Sequence, residues 1–210
     1  FKSCICIPQG IKKEHLFRME PLSLNYTEAT FSSKTFKVVY AGTLNINNPI
    51  EVLLKAVASF SKEEKVEAYI LGSGNMLETY KRKYAFCSRI KFIPAIPKSQ
   101  VKAFLMQTDL CFDSVDTELG RFGLSRNKWI DYMNAGRPIV CSYSGYKSMI
   151  NESKCGSFTP FGNDKLLAKE IKMYKKMPKS ELNNIGQNGR NYLKKNRLFE
   201  NLALDYQNIF

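Results

Sequence analysis

Residues 36–60, FKVVYAGTLNINNPIEVLLKAVASF, combine the signals of a strand, a glycine turn and a helix. The apolar run before Gly42 is typical of a buried strand. Pro49 suits the first turn of the helix, Asn48 before it is the predicted N-cap, and Glu51 supplies the acid of a capping box. Such a strand–turn–helix unit is the building block of parallel α/β sheets.

The same unit recurs along the rest of the chain. Further apolar runs, which we predict to be strands, occupy residues 66–74, 90–94, 109–113, 138–142 and 156–160. Amphipathic stretches separate them, and the predicted caps of two of these helices are Ser99 and Asn163. This alternation predicts an α/β fold with a Rossmann-like, doubly wound parallel sheet.

We expect three segments along the chain. Residues 1–34 hold a short predicted strand, Ser3–Ile7, and a polar stretch typical of a connector or arm. Residues 35–195 form the sheet domain, and residues 196–210 form a C-terminal helix. The sequence begins with Phe rather than Met, so we expect a piece of a longer protein.

The charge balance favours anionic partners. Lys and Arg number 32 against 19 Asp and Glu, for a formal net charge of +13 at pH 7. Nucleic acid, an anionic membrane surface and phosphorylated small molecules are the candidate partners, and a merely solvated cationic surface is the alternative. No stretch approaches the ~20 apolar residues of a membrane-spanning helix.

The six cysteines and the single histidine do not indicate a catalytic or metal site. Most cysteines lie in apolar runs, where a thiol behaves as a small hydrophobic group. Cys4 and Cys6 lack a second ligand pair at zinc-binding spacing. We therefore expect reduced thiols, no bound metal and a cytoplasmic location. His15 has no evident partner, which argues against a serine–histidine dyad.

Small or special residues follow several of the predicted strands. Ligands of doubly wound sheets bind beyond the carboxyl ends of the strands, where these residues would meet along one rim. Gly72-Ser73-Gly74 lacks the third glycine of a dinucleotide-binding fingerprint, so its glycines also fit a purely structural turn. The rim comprises Gly42-Thr43, Gly72 to Gly74, Pro94 to Ile96 and the loop 114–125.

The stretch GLSRNKWIDYMNAGRP, Gly123–Pro138, predicts a helix with an unusual start. We expect Ser125 to be its N-cap, so that two cations, Arg126 and Lys128, lie at the positively polarised end of the helix dipole. Free backbone N–H groups at such an end bind phosphate, and Lys128 can add a charged contact. Gly123 and Leu124 lead into this turn.

Asp131 follows one turn later and is predicted to share a face with Asn127 and Lys128. At about 1.5 Å of rise per residue it lies roughly 5–6 Å from the phosphate-binding turn, which is the scale of a sugar ring. Its carboxylate can accept two hydrogen bonds from vicinal hydroxyls. The pattern predicts a ligand with an anionic end and nearby hydroxyl groups. A surface helix with an incidental basic start is the alternative.

Five segments together resemble the retaining GT-B glycosyltransferases of the group 1, family-four class, which includes capsule and O-antigen enzymes. GLSRNKWIDYMNAGRPIV is similar to the family pattern G-x-S-P-N-K-x-x-E-Y-M-A-x-G-x-P-V, the most specific of the five. The other segments are CIPQGI, VVYAGTLNINNPIEVLLKA, AYILGSGNMLETYK and IKFIPAIPKSQVKAFL. The resemblance covers nearly the whole chain but only the C-terminal, nucleotide-sugar-binding half of a GT-B enzyme.

The resemblance implies a donor site for a nucleoside diphosphate sugar, which we expect to be UDP-linked. It implies that Asp131 binds the ribose and that Ser125, Asn127 and Lys128 lie in the diphosphate-binding loop and helix start. The remaining implied donor residues are Gly42 and Thr43 beside the diphosphate, Gly72 and Gly74 beside the nucleoside, Ile96 at the base, and Gly123 and Leu124 in the loop.

The chain departs from the family pattern at two places. Asparagines stand where the family has an arginine and a lysine after the first glycine turn, so Lys128, Arg126 or the other domain must supply the positive charge. Gly123 stands where the family has the first acid of a glutamate pair, and Glu118 or Asp116 is the candidate to replace it.

The resulting hypothesis is retaining sugar transfer to a polysaccharide or lipid-linked acceptor that binds on an N-terminal domain outside this sequence. We expect the C-terminal helix to dock on that domain and the chain alone to bind nucleotide without turnover. No Asp-x-Asp motif is present, and oriented N–H donors replace a metal cofactor. Alternatives are a nucleic-acid-binding module, for which no signature is found, a nucleotide-sugar epimerase, and a non-catalytic nucleotide-binding domain.

Overall fold

The computed structural model describes residues 8–23, 31, 34–120, 124, 126–145 and 147–207. Within these residues, parallel strands form one sheet in the order β3-β2-β1-β4-β5-β6, which confirms the predicted doubly wound α/β fold. The strands are β1 Phe36–Ala41, β2 Val66–Leu71, β3 Ile90–Ile93, β4 Leu110–Ser114, β5 Ile139–Ser142 and β6 Gly156–Thr159.

Helices cover both faces of the sheet. The helix α2 packs against α8 on one face, and α6 packs against α9 on the other. The helices are α1 Lys13–Phe17, α2 Glu51–Ala58, α3 Leu77–Lys83, α4 Lys98–Leu105, α5 Thr117–Gly120, α6 Asn127–Asn134, α7 Met149–Ser153, α8 Asp164–Lys176, α9 Lys179–Asn196 and α10 Phe199–Gln207, with a 3₁₀ turn at Lys62–Glu64.

The core is divided into two apolar layers because strand side chains alternate between the faces of the sheet. In β1, Val38 and Tyr40 belong to the layer beneath α2 and α8. Val39 belongs to the opposite layer, together with Trp129 and Tyr132 of α6. Burial of both faces explains why the strands read as continuous apolar runs.

The strand order reverses at β1, and this reversal positions the site. The chain builds β1, β2 and β3 outward in one direction, then returns to place β4 on the other side of β1. The loops after β1 and β4 therefore leave the sheet side by side in opposite directions. Such a switch point is where doubly wound sheets form a ligand crevice.

Of the predicted caps of α2, α4 and α8, the first two are wrong and the third is confirmed. The helix α2 begins at Glu51 with Ile50 at its N-cap, so Asn48 lies outside it. The helix α4 begins at Lys98 after Pro97, so Ser99 is inside the helix rather than before it. Asn163 does cap α8, since its side chain accepts a hydrogen bond from the Leu166 amide at 3.0 Å.

The predicted boundaries at residues 34 and 195 remain predictions. Beyond α9, the chain returns to the N-terminal segment, where Ile11 and Leu198 form a parallel bridge. The Ile11 amide also donates to the Arg197 carbonyl oxygen at 2.8 Å. The predicted strand Ser3–Ile7, with Cys4 and Cys6, lies outside the described residues. Cys87, Cys111, Cys141 and Cys155 are buried free thiols.

Candidate functional site

The glycine turns after β1 and β2 pack directly against each other. A Cβ atom on Gly72 would lie 2.0 Å from the Gly42 carbonyl oxygen, and one on Gly74 would lie 2.1 Å from the Leu44 carbonyl oxygen. Both glycines also have positive φ, +148° and +152°, where L side chains are disfavoured. Close backbone approach therefore requires both glycines, whatever ligand lies beyond them.

A buried carboxylate lies between these turns and the start of α6. Asp113, near the end of β4, is fully buried. Arg126 Nε lies 2.7 Å from Asp113 Oδ2 in an ion pair that is not an aligned hydrogen bond, and Arg126 Nη2 donates to Oδ1 at 3.2 Å. Lys128 Nζ donates to Oδ1 at 3.1 Å, and Trp129 Nε1 donates to Oδ2 at 2.8 Å.

Two residues on the β1 side complete this cluster, which we call the cation cluster: Asp113, Arg126, Lys128, Asn48 and Tyr40. Lys128 Nζ donates to the Tyr40 hydroxyl at 3.0 Å and lies 4.4 Å from the centre of its ring. The Asn48 Oδ1 atom accepts from Arg126 Nη2 at 2.8 Å and from Lys128 Nζ at 3.3 Å. Burial lowers the pKa of Lys128, and Asp113 opposes that effect.

The cation cluster explains the two positive charges at the start of α6. The helix dipole disfavours cations at this end, but the buried carboxylate of Asp113 compensates them. The structure corrects the predicted cap: Arg126 is the N-cap residue and α6 begins at Asn127. Ser125 and Gly123 lie outside the described residues.

A cavity of about 540 Å³ lies on the α4 side of α6. Asp131 is at its wall, with its side chain 26% exposed, and forms an ion pair with Lys98 Nζ. Burial raises the pKa of Asp131, and the charge of Lys98 partly offsets this rise. The cavity is lined by Asn127, Ile130, Asp131 and Asn134 of α6, by Lys98, Ser99 and Lys102 of α4, and by Gly10, Ile11, Lys12, His15, Arg18, Glu20 and Phe199.

The prediction that Asn127, Lys128 and Asp131 share one face is wrong for Lys128. Asn127 and Asp131 both line the cavity. Lys128 instead reaches back to Asp113 and Tyr40 at the ends of β4 and β1. The cause is the buried carboxylate, which a flexible lysine side chain can reach from its place in the first turn.

The other predicted donor residues lie along the same rim. Thr43 is exposed, and its carbonyl oxygen accepts from the Tyr40 hydroxyl at 2.8 Å. A Cβ on Gly42 would lie 3.3 Å from Lys128 Cε, so the first glycine turn faces the cation cluster. Ile96 and Leu124 are half-buried against the core layer that contains α6.

The two candidate catalytic carboxylates lie after β4. Asp116 Oδ1 accepts from the Glu118 amide at 2.8 Å, which is the contact of a residue that begins a helical turn. Glu118 is exposed at the start of α5. Within the described residues, no three or more His, Cys, Asp or Glu side chains are grouped so that they could hold a metal ion.

The sequence-based interpretation missed Asp113, Asn48 and Tyr40. One signal was available for Asp113, since an aspartate inside the apolar run LCFDS is rarely buried unless it is paired. The two cations of SRNK have no acid beside them in the sequence, which was a second signal that they pair with a distant carboxylate. The roles of Asn48 and Tyr40 depend on the packing of β1 against β4.

The family model for glycosyl transferases group 1 matches residues 25–192. The chain belongs to the group 1 glycosyltransferases. No curated protein sequence matches this group 1 glycosyltransferase chain significantly. Among the described residues no helix has both the length and the apolar character needed to cross a bilayer.

Solved structures share the fold of this group 1 glycosyltransferase chain. Sucrose-phosphate synthase from Thermosynechococcus elongatus is 18% identical, with a TM-score of 0.77 over 97% of this chain and 51% of its own. HepE from Anabaena, in complex with UDP and glucose, is 16% identical, with a TM-score of 0.70 over 95% of this chain and 54% of its own.

A third structure is the C-terminal domain of the group 1 glycosyltransferase LpcC from Francisella tularensis. It is 15% identical, with a TM-score of 0.65 over 90% of this chain and 100% of that domain. The present chain thus spans about half the length of sucrose-phosphate synthase and HepE, and all of an isolated C-terminal domain. At these identities the likeness establishes the fold, which is the C-terminal half of a GT-B enzyme.

Proposed function

We propose that this chain is the donor-binding domain of a retaining glycosyltransferase and that it binds a UDP-linked sugar. The observation that carries the proposal is the position of Asp131. Its partly buried carboxylate faces a cavity of about 540 Å³, one turn beyond the start of α6. The cation cluster lies at that same helix start. A carboxylate that can accept hydrogen bonds from hydroxyl groups thus lies one turn from a cationic, positively polarised helix end.

The diphosphate binds at the rim between the first glycine turn and α6. Backbone N–H groups of the first turn of α6 point along the helix axis toward the carboxyl ends of the strands. Gly42 and Thr43 border this position from the β1 side, and Leu124 and Asn127 border it from the α6 side. The asparagines that follow the first glycine turn carry no charge, so Arg126 and Lys128 supply the positive charge.

The nucleoside extends from there into the cavity beside α4. The ribose hydroxyls donate to Asp131, in place of the present contact with Lys98. Gly72 and Gly74 border the nucleoside, and backbone groups near Ile96 meet the base. The structure of HepE with UDP and glucose supports the choice of UDP, since that protein shares this fold.

The reaction proposed is transfer of the sugar with retention of anomeric configuration. Oriented N–H donors and the cations of α6 stabilise the negative charge that develops on the departing diphosphate. A metal cofactor is unnecessary in this scheme. Glu118 and Asp116 stay the candidate carboxylates on the sugar side, at the end of β4.

The acceptor, a polysaccharide or a lipid-linked glycan, binds on an N-terminal domain that this sequence does not contain. The product class is a cell-surface glycan such as capsule or O-antigen. A lipid-linked acceptor is reached from the cytoplasmic side, where the net charge of +13 favours an anionic membrane surface. The chain alone binds donor without turnover, because half of the cleft is absent.

Thermal unfolding with a panel of UDP, GDP, ADP, NAD and a single-stranded oligonucleotide tests the proposal. A nucleotide at 100 times its dissociation constant adds about 2.7 kcal/mol to the free energy of unfolding. We expect UDP to give the largest shift. Stabilisation by the oligonucleotide alone, with a steep dependence on salt, would instead support the nucleic-acid-binding alternative.

A further inference from the structure

The two cations of the cation cluster converge on a neutral oxygen. Arg126 Nη2 and Lys128 Nζ both donate to Asn48 Oδ1, at 2.8 and 3.3 Å. The same two nitrogen atoms also donate to Oδ1 of the buried carboxylate of Asp113, at 3.2 and 3.1 Å. A carbonyl oxygen held between two cations has the position, but not the charge, of an anionic ligand atom.

The charges of the cluster do not balance. Asp113 contributes one negative charge, whereas Arg126 and Lys128 contribute two positive charges. Asn48 and Tyr40, the remaining members, are neutral. Since the two cations have side chains only 19% and 14% exposed, their excess positive charge is poorly screened by water. An anionic oxygen between them would balance it better than an amide oxygen does.

Asn48 is held in a way that allows it to leave. It lies in the connection between β1 and α2, half-buried, and outside both elements. Its Nδ2 atom donates to Asn45 Oδ1 at 3.0 Å, within the same short loop. The side chains that precede it, Ile46 and Asn47, are exposed, and the core side chain nearest along the chain is Ile50, two residues later, so Asn48 itself is not a core residue.

We propose that Asn48 Oδ1 occupies the position of a diphosphate oxygen of the donor, and that the donor displaces it while Asp113 keeps Arg126 and Lys128 in place. This inference rests on the proposed function and specifies its diphosphate subsite. The subsite is bordered by Gly42, where an added Cβ atom would lie 3.3 Å from Lys128 Nζ. Asp113 is a positioning residue in this arrangement, and Asn48 is a placeholder.

Three variants of the loop test the inference, with UDP and uridine as probes in calorimetric titrations. Asn48→Asp places a fixed carboxylate between the cations, where it competes with the diphosphate. We expect UDP affinity to fall by about tenfold or more, as for loss of one charged contact, and uridine affinity to stay within about twofold. The melting temperature of the free variant is expected to rise, because the carboxylate balances the cluster.

Asn48→Ala removes the placeholder, so UDP affinity should be retained or increased. Asn47→Asp is the matched control, because it adds the same charge to an exposed neighbour in the same loop. It should change UDP affinity by less than about threefold, as expected for a screened surface charge. Equal loss of UDP affinity in the Ala and Asp variants at 48 would make Asn48 a direct ligand contact and overturn the proposal.

The proposal would also be overturned if Asn48→Asp bound UDP as tightly as the wild type, or if it lost affinity for UDP and for uridine to the same extent. These outcomes leave the donor-binding function intact. If the wild-type chain bound none of UDP, GDP and ADP, the proposed donor site would be wrong, and with it the proposed role of Asn48.

Discussion

Asp113 and Arg126 form a partly buried ion pair that joins the end of β4 to the residue preceding α6, with 2.7 Å between Oδ2 and Nε. The Asp113 side chain is wholly inaccessible to water. The same carboxylate contacts Lys128 and Trp129, so one residue of the sheet orients three residues of the helix start. The start of α6 therefore depends on a residue that is distant in the sequence.

Replacement of Asp113 should strongly destabilise the fold. Asp113→Asn leaves two partly buried cations without their counter-charge, and removing one partner of a buried pair typically costs about 3–5 kcal/mol. The measurement is urea unfolding at pH 7. Asp205→Asn, at an exposed position of α10, is the control and should change stability by less than about 0.5 kcal/mol. A loss below about 1 kcal/mol for Asp113→Asn would contradict the central role of this carboxylate.

Removal of Arg126 should weaken binding of the diphosphate and spare the nucleoside. Arg126→Met deletes a charge-assisted contact, for which a loss of about 1.5–3 kcal/mol of UDP binding is expected. Uridine affinity should be unchanged, since the cavity beside α4 does not include Arg126. Lys172→Met removes a cation on α8 that pairs with Glu64, before the amino end of β2, and controls for net charge. Equal effects of the two variants on UDP affinity would reduce the role of Arg126 to long-range electrostatics.

The charge of Asp131 should lower the stability of the fold and strengthen nucleotide binding. Burial raises the pKa of its carboxyl, so the folded state holds the proton more tightly than the unfolded chain does. The associated stability is fully present below the ordinary pKa of 3.8 and is lost as pH rises through the folded-state pKa. Asp131→Asn, which never carries the charge, should therefore be at least as stable as wild type at pH 7.

The same variant should bind UDP and uridine about 1–3 kcal/mol more weakly, because a carboxylate that accepts ribose hydroxyls is lost. Unfolding curves and titrations at pH 7 give the two readouts. If Asp131→Asn were less stable than wild type at pH 7, the charged carboxylate would not destabilise the fold. If its uridine affinity were undiminished, Asp131 would not be part of the ribose site.

Lys98 should keep Asp131 ionised. Its ammonium group opposes the rise that burial causes in the Asp131 pKa. Lys98→Met should move that pKa further upward, so the variant should lose UDP affinity at a higher pH than wild type as the solution is acidified. Lys98→Arg keeps the charge and should follow the wild-type profile. Coincident profiles for all three proteins would show that the ion pair has no influence on binding.

The glycine at position 72 should be irreplaceable for a structural reason. In Gly72→Ala the new Cβ meets the Gly42 carbonyl oxygen at 2.0 Å, and φ is +148°. Overpacking and strain together should cost about 2–4 kcal/mol of unfolding free energy. Gly162→Ala is the control, since φ is +73° there but nothing lies within 4 Å. Its cost should be only about 1–2 kcal/mol. Equal losses would mean that strain alone acts at Gly72.

Local sequence patterns predicted which strands and helices form better than they predicted where each helix begins. The apolar run of β1, the glycine after it and the helix that follows are all present, because burial and turn geometry act over a few residues. Asn48 has the features of a cap, but its side chain is engaged by Arg126 and Lys128 instead. Long-range charge outweighed a local capping preference, and that competition is not visible in the loop sequence.

The sequence by itself determined the α/β class, the parallel sheet and the helix that carries Asp131, since alternating apolar periods are a local property of the chain. Tertiary structure alone decided which residues meet at the rim. The reversal of strand order beside β1 brings β4 next to it and buries Asp113 there. A buried charge attracts the cations within its reach, so Lys128 turned away from Asp131 and toward Asp113.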